Sequence, residues 1–277
     1  GAPSRMTEPR RAPRLRRWLL PVWLAMTVAL AQAADLEREV RLASEIADSI
    51  LEGEPIRLTA AGHEFLAIFT PSEAPDSRDA VLILHGRGLH PDWQDVVYPL
   101  RTELPQRGWH TLSIQLPVLD KDAKYYDYVE IFPEALPRID AAIAHLRAQG
   151  AERIVMIAHS CGVHMGMAWI AARGDADLAG FVGIGMGATD YRQPMRAPFP
   201  LEDLRVPVLD VFGSDDYPAV QRMAPERLTA MRSAGHPHSA QRRIDGANHD
   251  FRGAAEPLLE TVGEWLEGLG EAASRPE

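Results

Sequence analysis

In 277 residues there is one cysteine, Cys161, one asparagine, Asn248, and two lysines, Lys121 and Lys124. A lone cysteine excludes an intrachain disulfide framework and a cysteine-based zinc cluster. The ten histidines contain no HxxxH or HExxH spacing. His85, His90, Asp92 and His164 therefore do not form a metal signature, and neither a metal nor another cofactor is expected. Basic charge is also scarce: beyond residue 33 there are 23 basic against 38 acidic side chains. Nucleic acid is excluded as a partner, because binding its backbone requires clustered Lys and Arg. The preference for arginine, 27 residues, over lysine reads as codon usage rather than function. Membrane-length apolar runs are missing as well. The most extended, Trp18–Leu30, has 13 residues and contains Pro21, whereas a spanning helix needs ~20.

That short run sits in a recognisable setting. Met6–Arg17 is arginine-rich, the apolar run follows, and Ala31-Gln32-Ala33 supplies the small-x-small pattern of a signal-peptidase site. Residues 1–33 are expected to be an export leader, with 1–5 an extension because Gly1 is not methionine. An uncleaved anchor is the competing reading. Arg16-Arg17-Trp18-Leu19-Leu20 resembles a twin-arginine signal, and both export routes stay open. The expected location is periplasmic or secreted, from Ala34 onward, without stable membrane insertion once the leader is removed.

After the leader, Leu36, Val40, Ala43, Ile46 and Ile50 recur at helical spacing, which predicts a helix over 35–52 in an N-terminal segment, 34–53. Ile56–Ala60 and His63–Phe69 alternate around Ala61-Gly62 and predict a hairpin. Five apolar runs then alternate with helix-length amphipathic sequence: Ala80–Leu84, Thr111–Leu116, Arg153–Ala158, Gly180–Ile184 and Val206–Phe212, with a weaker sixth, Gln241–Ile244. Continuous Val/Ile/Leu runs suit strands covered on both faces. The fold class is thus α/β: a doubly wound, mainly parallel sheet over 54–270, with an N-terminal antiparallel hairpin and a polar tail, 271–277. Only Thr189–Leu204 is inserted between the fourth and fifth runs, so no large lid is expected.

Ligands of such sheets sit at the carboxyl ends of the strands, and these runs end in chemistry. Ala158-His159-Ser160-Cys161-Gly162 is small-x-Ser-x-small between a strand and a predicted helix, Val163–Ala172, the setting of a nucleophile on a tight turn. The plainer role for Ser160 is a helix N-cap. His249, after the last run, is the candidate base that would activate the Ser160 hydroxyl. A carboxylate must orient that imidazole. Asp216, just past the fifth run, is favoured over Asp190, Asp215 and Asp210. The oxyanion formed on attack needs backbone donors, expected to be the N–H groups of Cys161, at the helix start, and of Arg87, in His85-Gly86-Arg87-Gly88. Two readings of the Arg87 guanidinium are open, a surface charge or a substrate-carboxylate anchor. Gly86, Gly88, Trp93, Tyr125 and Tyr126 are candidate substrate-binding residues, the tyrosines because Tyr125-Tyr126-Asp127-Tyr128 sits in a long loop on the same rim.

Together the hairpin, VLILHGRG, IAHSCG, PVLDVFGSDD and DGANHDF resemble the α/β-hydrolase superfamily. HGRGLHPDW, LPVLDKDAKYYDY and FVGIGMG are similar to an uncharacterised bacterial domain-of-unknown-function branch of it. The resemblance spans roughly Leu51–Leu269 and implies Ser160 as nucleophile, Asp216 as acid and His249 as base. Cys161 departs from the bulky aliphatic residue usual after the nucleophile. Cys161 is not itself the nucleophile, because Ser160 is midway between the two small residues. Gly183–Ala188 matches G-x-G-x-x-A, but Pro194, Pro198 and Pro200 exclude the helix a dinucleotide site needs. The expected function is a serine hydrolase, carboxylesterase-like, acting on a small-molecule acyl substrate. The alternatives are a non-catalytic envelope or binding protein on the same fold, or an acyltransferase, thioesterase or peptidase using the same triad.

Overall fold

The computed structural model describes Gly1, residues 33–190 and residues 192–273. The expected leader lies outside the described residues but for Gly1 and Ala33, as do residues 274–277 of the expected tail. The fold begins with α1 (Leu36–Ala47) and the antiparallel hairpin β1 (Glu54–Ala60) and β2 (His63–Thr70). Then come β3 (Asp79–Leu84), α2 (Val97–Glu103), β4 (His110–Ile114), α3 (Tyr125–Val129), α4 (Phe132–Ala148), β5 (Arg153–His159), α5 (Cys161–Arg173) and β6 (Gly180–Ile184). The chain closes with β7 (Val208–Asp215), α6 (Pro218–Arg222), α7 (Ala224–Ala234), β8 (Ala240–Asn248) and α8 (Ala255–Ala273). One sheet takes all eight strands in the order β1-β2-β4-β3-β5-β6-β7-β8. β2 pairs antiparallel with β4, and every pair from β4 to β8 is parallel. Strand order reverses at β3, whose neighbours are β4 and β5, and such a switch point opens a crevice at the carboxyl ends.

The apolar runs are continuous because helices cover both faces. Leu82, Leu84, Met156 and Ala158 point into a core built with α4 and α5, through residues such as Ile139, Ala142 and Val163. The alternate residues Val81, Ile83, Val155 and Ile157 join Leu100, Leu258 and Val262 of α2 and α8 on the other face. Each such fully buried aliphatic side chain contributes roughly 1.5–3 kcal/mol. β8 is the exception. It is an edge strand whose Arg242, Arg243 and Asp245 stay exposed, so its sequence shows only the weak run Gln241–Ile244 although the strand reaches Asn248. Polar side chains along an edge also deter pairing with another sheet.

Two expectations need correction. The N-terminal helix ends at Ala47, so Ile50 is outside it, and Val40 is 65% exposed. Its inward face is set by Ala43 and by Glu39, which pairs with Arg138 of α4 through both carboxylate oxygens. An ion pair rotates this helix away from its apolar stripe. At the other end, α8 continues through Ala273, so the first three residues of the expected tail are helical.

A second buried ion pair fixes the part of the fold nearest the site. Arg227 of α7 donates to Asp210 of β7 at 2.7 Å, to the carbonyl of Met186 at 3.1 Å and to that of Val220 at 2.9 Å. It thereby ties α6, β7 and the β6–β7 loop together. Burial pushes the Asp210 carboxyl up, with Arg227 opposing it. Removing one partner of such a pair leaves an uncompensated buried charge, at a cost of about 3–5 kcal/mol. Arg227→Met is expected to lower unfolding stability in urea by that amount, and adding Asp210→Leu is expected to recover much of the loss.

Candidate active site

Each residue of the expected triad is the first one past the end of a strand: Ser160 after β5, Asp216 after β7 and His249 after β8. The parallel register therefore delivers all three to one rim. At Ser160 the backbone takes φ 56° and ψ −118°, a conformation that costs a non-glycine residue roughly 1–3 kcal/mol. Its N–H donates to the Ile184 carbonyl at 2.9 Å and its carbonyl accepts from Val163 at 3.0 Å, which hold the turn. The small residue at 162 is a packing requirement: a Cβ on Gly162 would lie 2.5 Å from the His85 carbonyl oxygen and 2.7 Å from that of Leu84. Ser160 stands at the N-cap position of α5, yet its hydroxyl makes no cap bond. It reaches His249 instead.

Ser160 Oγ lies 2.7 Å from His249 Nε2, and His249 Nδ1 lies 2.6 Å from Asp216 Oδ1. Asp216 accepts at Oδ1, so Nδ1 carries the imidazole proton and Nε2 is the acceptor for the serine hydroxyl. The same Oδ1 accepts the Tyr217 N–H at 2.7 Å. Asp216 and His249 are 5% and 6% exposed, which shields this chain of bonds from water. Gly185, at φ +66°, makes room for them: a Cβ there would fall 2.8 Å from His249 Cε1 and 3.3 Å from Asp216 Oδ2. The rival carboxylates are engaged elsewhere. Asp210 is bound to Arg227, Asp215 sits opposite Asn248 in the β7–β8 ladder, and Asp190 pairs with Arg87.

Cys161 is the first residue of α5, so its N–H is among those a helix leaves unpaired at its start. Burial pushes its thiol up to about 12, which keeps the sulfur neutral and poorly nucleophilic. The loop after β3 comes alongside: a Cβ on Gly86 would lie 3.6 Å from Ser160 Cβ, and Arg87 follows it. The Arg87 guanidinium is neither a free surface charge nor an open anchor. It binds Asp190 through two contacts of 2.7 and 3.1 Å. Burial raises Asp190, but Arg87 and the Tyr125 N–H outweigh it and hold the carboxyl below its usual range.

A cavity of about 860 Å³ opens over Ser160, with Gly86, Trp93 and Tyr125 in its wall as expected. Gly88 and Tyr126 are not part of it. The Gly88 carbonyl accepts from Arg38 at 3.1 Å and its Cα faces Arg38 and Tyr128, so it is used in packing the N-terminal helix. The Tyr126 hydroxyl donates to the Pro194 carbonyl at 3.2 Å, and the Arg196 guanidinium covers its ring at 3.8 Å. Two residues at the centre went unassigned from the sequence. Tyr217 stacks on the His249 ring at 4.2 Å and 23°; its place directly after Asp216 was the available signal. His159 is 2% exposed, and its Nε2 donates to the His249 carbonyl at 2.9 Å. Burial, reinforced by the neighbouring His249, pushes His159 down to about 4, so it stays neutral beside the triad. His85 and His164 bond to backbone groups, at 2.9 Å to Leu116 N and 2.9 Å to the Ala188 carbonyl.

Solved structures with this fold are numerous. A protein of unknown function from Agrobacterium tumefaciens, reported as a putative alpha/beta hydrolase, superposes with a TM-score of 0.60 at 19% identity, covering 80% of this chain and 99% of that one. Est1E from Butyrivibrio proteoclasticus gives 0.60 at 16% identity, over 79% and 99% of the two chains. A serine hydrolase without lid from Xanthomonas campestris gives 0.55 at 15%, over 79% and 95%. The fold is that of the α/β hydrolases, with an open sheet and no large lid among the described residues. No curated protein matches the sequence. The family described as "Protein of unknown function (DUF3530)" matches residues 22–128 and 130–267, and with that share of its length the chain belongs to this family.

Proposed function

We propose that this protein is a serine hydrolase that cleaves a carboxylic ester. The observation that carries the proposal is the unbroken pair of short hydrogen bonds from Asp216 through His249 to Ser160, at the floor of an open cavity. His249 Nε2 takes the Ser160 proton as Oγ bonds to the acyl carbon, and Asp216 stabilises the resulting imidazolium. The oxyanion is met by the Arg87 and Cys161 N–H groups, the latter aided by the α5 dipole. His249 then returns the proton to the departing alcohol, leaving Ser160 acylated. Water attacks the acyl carbon, gives its proton to Nε2, and the acid leaves as Ser160 is reprotonated. The stacked Tyr217 ring favours the cationic imidazole in both steps. The solved relatives named as esterases and serine hydrolases support the reading by fold.

The test is turnover of short p-nitrophenyl esters by the purified protein. Ser160→Ala is expected to abolish it, and Asp216→Asn to reduce kcat by about 10⁴-fold with the fold intact. No turnover by the folded wild type, or equal turnover by Ser160→Ala, would overturn the proposal. Gly185→Ala pushes a methyl group against His249 and Asp216; kcat is expected to fall on the order of a hundredfold or more while KM changes little.

Export belongs to the same proposal. Ala34 N lies 3.0 Å from Glu134 Oε2, so cleavage after Ala33 would set the new α-ammonium on that carboxylate. N-terminal sequencing of the exported protein is expected to begin at Ala34; an intact leader on the exported protein would contradict it.

A further inference from the structure

The cavity over Ser160 differs in charge from the chain that forms it. The chain carries a formal charge of −10 and two lysines. Yet Arg87, Lys124, Arg192 and Arg222 all line this cavity, against only two carboxylates, Asp190 and Asp250. Arg87 and Asp190 neutralise each other. Lys124, Arg192 and Arg222 form no ion pair among the described residues, whereas Arg87 is paired.

The three cations come from separate parts of the chain. Lys124 immediately precedes α3, Arg192 is in the β6–β7 loop and Arg222 ends α6. Convergence of like charges costs energy and gives no packing in return, since all three side chains are exposed. A ligand anion would turn that cost into attraction, and a cleft lined with one sign of charge concentrates such ligands. The lining is also aromatic: Tyr125 is buried, Trp93 partly buried and Tyr217 about half exposed over His249. The arrangement suits a molecule with an apolar or aromatic body beside Ser160 and a negative group held at the mouth.

We propose that the site selects esters bearing a carboxylate remote from the scissile bond, recognised by Lys124, Arg192 and Arg222. The proposal rests on the serine-hydrolase reading for its chemistry, but the recognition is measurable without turnover. Two matched pairs place the anion on either side of the ester. They are 4-acetoxybenzoate with its methyl ester, and mono-p-nitrophenyl terephthalate with its methyl ester, each rate normalised to hydroxide hydrolysis. In at least one pair the anionic member is expected to have about tenfold higher kcat/KM. The preference should shrink as salt rises and vanish in the triple variant Lys124→Met, Arg192→Met, Arg222→Met. A neutral preference in both pairs, or a preference that survives the triple variant, would overturn the proposal. Calorimetry with the uncleaved analogue 4-acetamidobenzoate separates the two readings. If no ester turns over, the hydrolase reading falls. Recognition stands if 4-acetamidobenzoate binds the wild type more tightly than the triple variant, and falls if the two bind alike.

Discussion

The structure turns on one imidazole held between two oxygens. His249 has a carboxylate 2.6 Å from Nδ1 and a hydroxyl 2.7 Å from Nε2, and only this order of bonds makes a serine reactive near neutrality. An alcohol cannot lose its proton unaided; it needs a neutral nitrogen aimed at it and a place for the charge that results. Asp216 fixes the tautomer, and in the proposed reaction it would balance the imidazolium. The surrounding groups preserve the arrangement. His159 stays uncharged while anchoring the His249 backbone, Gly185 leaves space beneath the ring, and Tyr217 covers it from above.

That geometry is inherited from the sheet. Three parallel strands run to one edge of the sheet, and the residue following each is the one that meets the other two there. The cost is concentrated at Ser160, whose positive φ is held by the bond to Ile184 and by the close approach of Gly162 to the β3 loop. The buried Arg227–Asp210 pair secures the segments on the Asp216 side. Stability is therefore placed behind the rim, while the rim itself carries strained backbone and unpaired donors.

Much of this was legible in the residues, for physical reasons that also explain what was not. The central strands read clearly because both faces are covered, so their apolar runs are unbroken. β6 matched the run Gly180–Ile184 residue for residue. The convergence of Ser160, His249 and Asp216 was legible because a tight strand-to-helix turn demands small neighbours, and because strand ends in this fold are where ligands bind. The N-terminal helix misled because a charged residue, Glu39, faces inward, and no apolar periodicity can announce an ion pair formed with a residue about a hundred positions away. Gly88, Tyr126 and Arg87 have side chains or backbone directions set by partners on other segments, Arg38, Pro194 and Asp190. Tyr217 and His159 act through contacts with His249 that exist only after folding.

The most direct measurement is the site and rate of phosphonylation when the folded protein, freed of its leader, is treated with a fluorophosphonate and mapped by peptide mass spectrometry. The account predicts a single adduct on Ser160, formed on the order of a thousandfold more slowly when His249 is replaced by alanine. No adduct on the folded protein, or an adduct formed equally fast without the imidazole, would contradict it.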